Sequence, residues 1–223
     1  SILNMAIILQ ILGIPYTLMI PKRMSEGYGI SDKLVERIHT SIVITIDNGI
    51  AAVEPVRKLK ERNCTVIILD HHAKGDVVPN ADVIIDPEAF PNSADYSHYC
   101  GAGLAFKLAE YLLPKGHPAL LKMSGITAIS TIGDSVPLTG DNRRIVRQGM
   151  MALNMGYTTK GLAKLMEKCK INMYSTSKDF SFYLIPCINA PGRLIDDGSI
   201  KSVQAIWCNN DNAEKLTDEL IEI

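Results

Sequence analysis

The chain has 223 residues, 47% hydrophobic and 21% charged, enough apolar material for one large domain or one domain with a smaller appendage. No apolar run approaches the ~18–20 residues that cross a bilayer. A net charge of −1 argues against a broad basic face for a polyanion, so only an uneven charge distribution would supply one.

The opening stretch, 1–14, is apolar but has neither a basic leader nor a small-residue cleavage site, so it is not read as a signal peptide. It lacks an initiator Met, which points to residues upstream. Five cysteines (Cys64, Cys100, Cys169, Cys187, Cys208) are scattered without a Cys-x-x-Cys pair and read as reduced thiols of a cytoplasmic protein.

In chain order, residues 2–12 are apolar almost all round and predict a buried helix closed by Gly13. Residues 16–20 predict a short strand. Ser31 caps a helix running to about His39, with Asp32 in the first turn where a negative charge suits the helix dipole. Ile42-Val43-Ile44-Thr45-Ile46 is a β-branched strand ending on Asp47-Asn48-Gly49. A helix over 51–62 leads to Thr65-Val66-Ile67-Ile68-Leu69, which ends on Asp70, and Val83-Ile84-Ile85 ends on Asp86-Pro87. Near-continuous apolar strands alternating with helices predict an α/β fold, a parallel sheet with flanking helices and its strand carboxyl ends on one edge. Ligands of open α/β sheets bind at that edge. From about Gly101 the pattern becomes helical, with helices expected over 101–113, 119–132, 143–154, 159–169 and 178–185, and an acidic helix over 212–223.

Asp47 and Asp70 each follow a strand and lie 23 residues apart, a normal βαβ step that projects both carboxylates into one crevice. An Asp after a strand is by itself a common turn residue. His71 and His72 change that balance, because two imidazoles beside a carboxylate match the mixed nitrogen and oxygen ligation of Mn²⁺, Fe²⁺ or Zn²⁺. Asp134, at the end of an apolar helix in Thr131-Ile132-Gly133-Asp134-Ser135-Val136-Pro137-Leu138, is a third carboxylate. Alone it reads as a solvated helix end.

Ile46-Asp47-Asn48-Gly49 and Leu69-Asp70-His71-His72 resemble the second and third motifs of the DHH phosphoesterase superfamily, and 131–138 resembles its fourth. Four further segments resemble its RecJ branch of single-strand-specific 5′→3′ exonucleases. They are Arg23-Met24-Ser25-Glu26-Gly27-Tyr28-Gly29, Gly101-Ala102-Gly103-Leu104-Ala105-Phe106, Asp141-Asn142-Arg143-Arg144 with Gly149-Met150, and Ile188-Asn189-Ala190-Pro191-Gly192-Arg193-Leu194. The ordered set covers nearly the whole chain.

The resemblance implies a two-metal site, usually Mn²⁺ with Mg²⁺ as the alternative, in which Asp47, His71 and Asp134 are ligands. It assigns catalytic work to His71, His72 and Asp134, with Asp70 orienting its neighbours from outside the ligand set. Arg193 would grip a phosphate in a loop that includes Gly192, with Asn189 holding that loop or contacting nucleic acid. It also implies a DHH-type core divided into an α/β part (1–100) and a helical part (101–210). Residues 211–223 would begin a linker to a second, substrate-binding domain.

Two departures stand out. The family's acidic first motif is absent, and the chain begins where that motif would end, so the chain as given is expected to bind metal poorly and to be impaired as an enzyme. The family's Pro-Arg-Ile-Asn run reads Pro186-Cys187-Ile188-Asn189. The leading expectation is a metal-dependent 5′→3′ exonuclease of DNA repair or recombination, acting on single-stranded DNA, with a single-strand-binding protein or helicase as partner and no membrane. The alternatives are a phosphodiesterase of short oligonucleotides or cyclic dinucleotides, and a non-catalytic RecJ-like nucleic-acid-binding scaffold.

Overall fold

The computed structural model describes residues 1–93 and 95–223. Its sheet has three parallel strands in the order β1 (Ile42–Ile46), β2 (Thr65–Leu69), β3 (Val83–Ile85), with Ile42 opposite Thr65 and Ile67 opposite Val83. Both faces are covered, which is why the strands carry no alternating polar positions. On one face, α2 (Asp32–Glu36) and α3 (Val53–Glu61) bring Val35, Ile38, Val56 and Leu59 against Val66 and Ile68. On the other, α1 (Ile2–Ile11) and α4 (Gly101–Leu112) pack Leu3, Ile7, Ile8 and Phe106 against Leu69 and the partly buried Ile44 and Ile46.

Local signals account for the element ends. Ser31 Oγ accepts the Leu34 N–H at 3.3 Å, a cap of about 1 kcal/mol. α1 is closed by Ile14 N–H donating to Leu9 O and Gly13 N–H to Gln10 O, with Gly13 at φ 67°. One polar residue of this apolar helix is buried: Asn4 is fully enclosed and its Nδ2 donates to Ala102 O and to Thr127 Oγ1, latching α1 to α4 and to the segment that carries Thr127.

The helical half is built on α5 (Pro118–Gly133) and α6 (Gly140–Asn154). They approach so closely that a Cβ on Gly149 would lie 2.2 Å from Ser124 O. α7 (Lys160–Lys168), α11 (Gly198–Trp207) and α12 (Ala213–Ile221) join their core through Leu162, Leu165, Ala205 and Leu220.

Three expectations need correction. Residues 16–20 form no strand, because the sheet edges are β1 and β3 and the segment, with Tyr16 and Leu18 exposed, pairs with neither. The helix expected over 178–185 runs from α8 (Ser177–Asp179) through a π-helical turn at Phe180–Leu184 into α9 (Ile185–Asn189). The wide turn buries Phe180 and Leu184 while Phe182 and Tyr183 face solvent. Finally, α10 (Pro191–Leu194) and α11 were not anticipated; the segment with Gly192 and Arg193 was expected as a loop. Gly198 is required there by packing, its absent Cβ falling 1.9 Å from Pro191 O.

Candidate metal centre

The three strands each end on an aspartate: Asp47 after β1, Asp70 after β2 and Asp86 after β3. Backbone pairing continues one residue past the strands, with Asp47 N–H donating to Leu69 O and Asp70 N–H to Ile85 O, so the carboxylates start from one edge in register.

Asp70 is 1% exposed and fully engaged. Its Oδ2 accepts the Ile50 N–H at 2.9 Å, and its Oδ1 accepts the His71 N–H at 2.8 Å and meets His72 Nδ1 at 2.6 Å. One buried carboxylate thus ties the loop after β1 to both histidines. An ionised Asp70 only accepts, so Nδ1 of His72 carries the proton. The imidazole, 58% exposed, keeps Nε2 available.

Asp47 adopts the left-handed conformation (φ 69°), which Asp tolerates better than most residues. Its Oδ1 accepts the Gly101 N–H at 3.2 Å, placing the carboxylate on the amino terminus of α4, where the helix dipole favours negative charge. Only glycine fits there, because a Cβ on residue 101 would lie 2.3 Å from that same oxygen. Oδ2 accepts the Ser1 hydroxyl at 3.2 Å. Burial opposes ionisation of Asp47, but His71 and the surrounding donors hold its pKa down to about 2.

Asp134 caps the carboxyl end of α5, its N–H donating to Ser130 O. His71 lies between the two carboxylates, with Nε2 3.0 Å from Asp47 Oδ1 and 3.1 Å from Asp134 Oδ2. Neither contact is aligned as a hydrogen bond, so this buried nitrogen has no hydrogen-bond partner. Burial pushes the Asp134 pKa up and the Asp47 charge pushes it further, a cost the two histidines only partly relieve. For His71, burial disfavours the charged ring, yet the adjacent carboxylates outweigh it and raise its pKa. One oxygen from each aspartate and the His71 nitrogen lie within 4.8 Å of one another.

An orphaned imidazole nitrogen facing two carboxylates fits a divalent cation. Of the residues singled out from sequence, the structure gathers Asp47, His71 and Asp134 here and sets Asp70 behind His71 and His72. Arg193 and Asn189 are exposed, and among the described residues no hydrogen bond or ion pair joins them to this group. Their segment is bound instead to the 23–29 loop. Arg23 Nη1 donates to Gly192 O, and Asp196 accepts the Met24 and Ser25 N–H groups and the Ser25 hydroxyl.

Asp86 was passed over in sequence, although it follows its strand as Asp47 and Asp70 follow theirs. It is 2% exposed; Oδ1 accepts the Ala89 N–H and Oδ2 has no hydrogen-bond partner. Burial raises its pKa, and the nearby Asp70 charge adds to that.

Residues 1–131 match the family model described as DHH family, N-terminal domain. The chain belongs to the DHH family. Within it, the chain is 32% identical over 219 residues to the single-stranded-DNA-specific exonuclease RecJ of Escherichia coli (strain K12), covering 91% of the chain and 38% of that protein. It is 35% identical over 190 residues to the Bacillus subtilis (strain 168) RecJ, covering 83% of the chain and 24% of that protein. The DHH chain therefore spans well under half the length of these relatives. A crystal structure of exonuclease RecJ bound to manganese superposes with a TM-score of 0.83 at 30% identity, over 98% of this chain and 56% of that one. RecJ from Thermus thermophilus in complex with Mn²⁺ matches with a TM-score of 0.78 at 28% identity, over 98% of this chain and 32% of that one. The parallel sheet with flanking helices is the RecJ fold.

Proposed function

We propose that this chain belongs to the catalytic core of a metal-dependent exonuclease that hydrolyses single-stranded DNA from its 5′ end. The observation that carries the reading is the orphaned His71 Nε2 between Asp47 and Asp134, in a chain whose relatives are named single-stranded-DNA-specific exonucleases. Asp47, His71 and Asp134 would hold a divalent cation, Mn²⁺ in the first instance because a similar structure is described as bound to manganese. When bound, such a cation supplies the positive charge that polarises water and the scissile phosphodiester.

The chain's own groups then divide the remaining work. Asp70 holds the His71 backbone and the His72 Nδ1 proton, so both rings are oriented before substrate arrives. His72 presents Nε2 to solvent and can exchange a proton with a phosphate or leaving-group oxygen. Gly101 leaves room for Asp47 at the helix terminus. Arg193, with Asn189 and Gly192 beside it, offers a planar cation to a phosphate further along the strand.

Residues 1–100 and 101–210 are read as the two parts of one core, and 211–223 as the start of a connection to a substrate-binding domain. No helix among the described residues is long and apolar enough to cross a membrane. A cytoplasmic enzyme of DNA repair and recombination, working with a single-strand-binding protein or a helicase, is the matching cellular setting.

The test is made on the complete protein with 5′- and 3′-labelled single-stranded DNA. Wild type should release nucleotides from the 5′ end only with Mn²⁺ or Mg²⁺, and His71→Ala should lower that rate at least ~10³-fold while the circular dichroism spectrum is retained. Wild-type turnover by the variant would sink the site assignment. Cleavage of dinucleotides but not of longer strands would transfer the same site to a short-oligonucleotide phosphodiesterase.

A further inference from the structure

Away from the metal centre, Cys169 caps the carboxyl end of α7 and α9 carries Cys187, 18 residues apart, with their sulfurs 3.6 Å from each other. That is direct contact between the two thiols. Among the described residues no other pair of cysteine sulfurs meets in this way. Cys64 Sγ donates to Thr40 O, Cys100 Sγ lies against Thr131 Oγ1 and the Gly103 N–H, and Cys208 Sγ bonds to Asn210.

We propose that Cys169 and Cys187 are a redox-sensitive pair that closes to an intramolecular disulfide when the protein meets a small-molecule disulfide of the glutathione type. Closure to the normal S–S length of about 2.05 Å needs the sulfurs to approach by roughly 1.5 Å. Both residues are partly exposed, so the oxidant has access. The existing contact sets the order of events. Cys169 Sγ donates to Cys187 Sγ, while Cys187 Sγ donates to Tyr183 O at 3.2 Å. Burial and the neighbouring thiol push Cys169 up to about 12. Cys187 is the first nucleophile, because its Sγ accepts the Cys169 S–H and a thiolate there would keep that hydrogen bond. Its thiolate attacks the small disulfide and expels one small thiolate, leaving a mixed disulfide on Cys187. Cys169 then attacks Cys187 Sγ, and the second small thiolate leaves, taking up the Cys169 proton. Two protein thiols are oxidised and one small disulfide is reduced to two thiols.

The bond would tether the end of α7 to α9, two residues before Asn189. It would also staple the intervening segment, where Met173, Tyr174, Phe182 and Tyr183 are exposed and few buried side chains hold the chain down.

The experiment is oxidation of the native protein with glutathione disulfide, alkylation of remaining thiols, and non-reducing peptide mapping by mass spectrometry. A cross-linked peptide joining Cys169 to Cys187, lost on adding dithiothreitol, is the expected result. Oxidised protein should melt on the order of 5 °C above reduced protein, because a loop of this length is closed in the unfolded chain. Cys169→Ser should stop at the glutathione adduct on Cys187, and Cys187→Ser should give neither the cross-link nor the shift in melting. The proposal is overturned by wild-type protein in which both thiols remain alkylated, the adduct persists on Cys187, either cysteine pairs elsewhere, or oxidation lowers the melting temperature. The wild-type map decides the matter even where a serine variant folds poorly.

Discussion

Two groups of carboxylates flank α4, and they differ in what neutralises them. On the outer side, Asp141 accepts from Tyr99 Oη at 2.7 Å, lies 3.2 Å from Lys107 Nζ and bonds Arg144, which in turn meets Glu110 at 3.0 Å. Two acids face two bases, and every charge is answered within the protein. On the inner side, Asp47 and Asp134 share one imidazole whose nitrogen makes no hydrogen bond. The first arrangement is a finished structural network. The second is a deficit of positive charge held in place by the fold, the arrangement on which the proposed cation site rests.

The comparison can be broken most sharply at the two ends of the scale. His71→Ala should abolish metal-dependent hydrolysis, whereas Arg144→Ala should leave activity within a few-fold and cost about 1–2 kcal/mol of stability as Asp141 and Glu110 lose their shared partner. If Arg144→Ala removed activity as completely, the division into structural and cation-binding groups would fail.

Asp70→Ala should affect both properties at once. It leaves the Ile50 and His71 N–H groups without their acceptor, a loss of about 3 kcal/mol, and frees the His72 ring. Urea unfolding and Mn²⁺ titration calorimetry on one preparation would read the two effects.

Asp134→Asn sharpens the contrast in the other direction. Burial and the Asp47 charge raise the Asp134 pKa, so its ionised form costs stability at neutral pH, and that cost disappears as pH falls through the raised value. The metal-free variant should therefore melt no lower than wild type, and roughly 1–3 °C higher. It should also lose most of the stabilisation that Mn²⁺ gives wild type. A metal-free variant that melts lower would mean that Asp134 is a structural acceptor.

The effect confined to stability belongs to Asp141. Burial opposes its ionisation, but Arg144, Tyr99 and Lys107 hold its pKa at about 2, below the ordinary carboxylate value. A depressed pKa stabilises the fold above the unfolded-state value near ~4 and loses that contribution as pH falls towards ~2. Asp141→Asn should cost about 1–2 kcal/mol at pH 6–8, after allowance for solvent screening. The difference from wild type should shrink below about pH 4. A gap independent of pH would remove the ion pairs as its cause.

The legible parts of this protein were those whose signals are local. Ile42-Val43-Ile44-Thr45-Ile46 and Thr65-Val66-Ile67-Ile68-Leu69 are β-branched runs spaced for a helical crossover, and both became adjacent parallel strands. Ser31 caps its helix as read. The segment 16–20 failed because an apolar run of five residues makes a strand only where the rest of the fold lays it along a sheet edge, a fact stored elsewhere in the chain. α11 was missed for the converse reason: its Gly198, Ser202 and Ala205 face is small because other elements lie against it, and small residues carry little periodic hydrophobic signal. Asp86 stood in the same position as Asp47 and Asp70 but had no histidine beside it to draw attention.

By itself the sequence determined the strands, the order of the motifs and the aspartates that end each strand, because side-chain branching, capping and βαβ spacing act over a few residues. Tertiary structure decided the rest. It brought Asp134 from the far end of α5 against Asp47 and His71, made Gly101 the space that admits the Asp47 carboxylate, and buried Asp70 where it orients both histidines. Those relations depend on residues far apart in the chain, and their energies arise only when water is excluded between the elements that carry them.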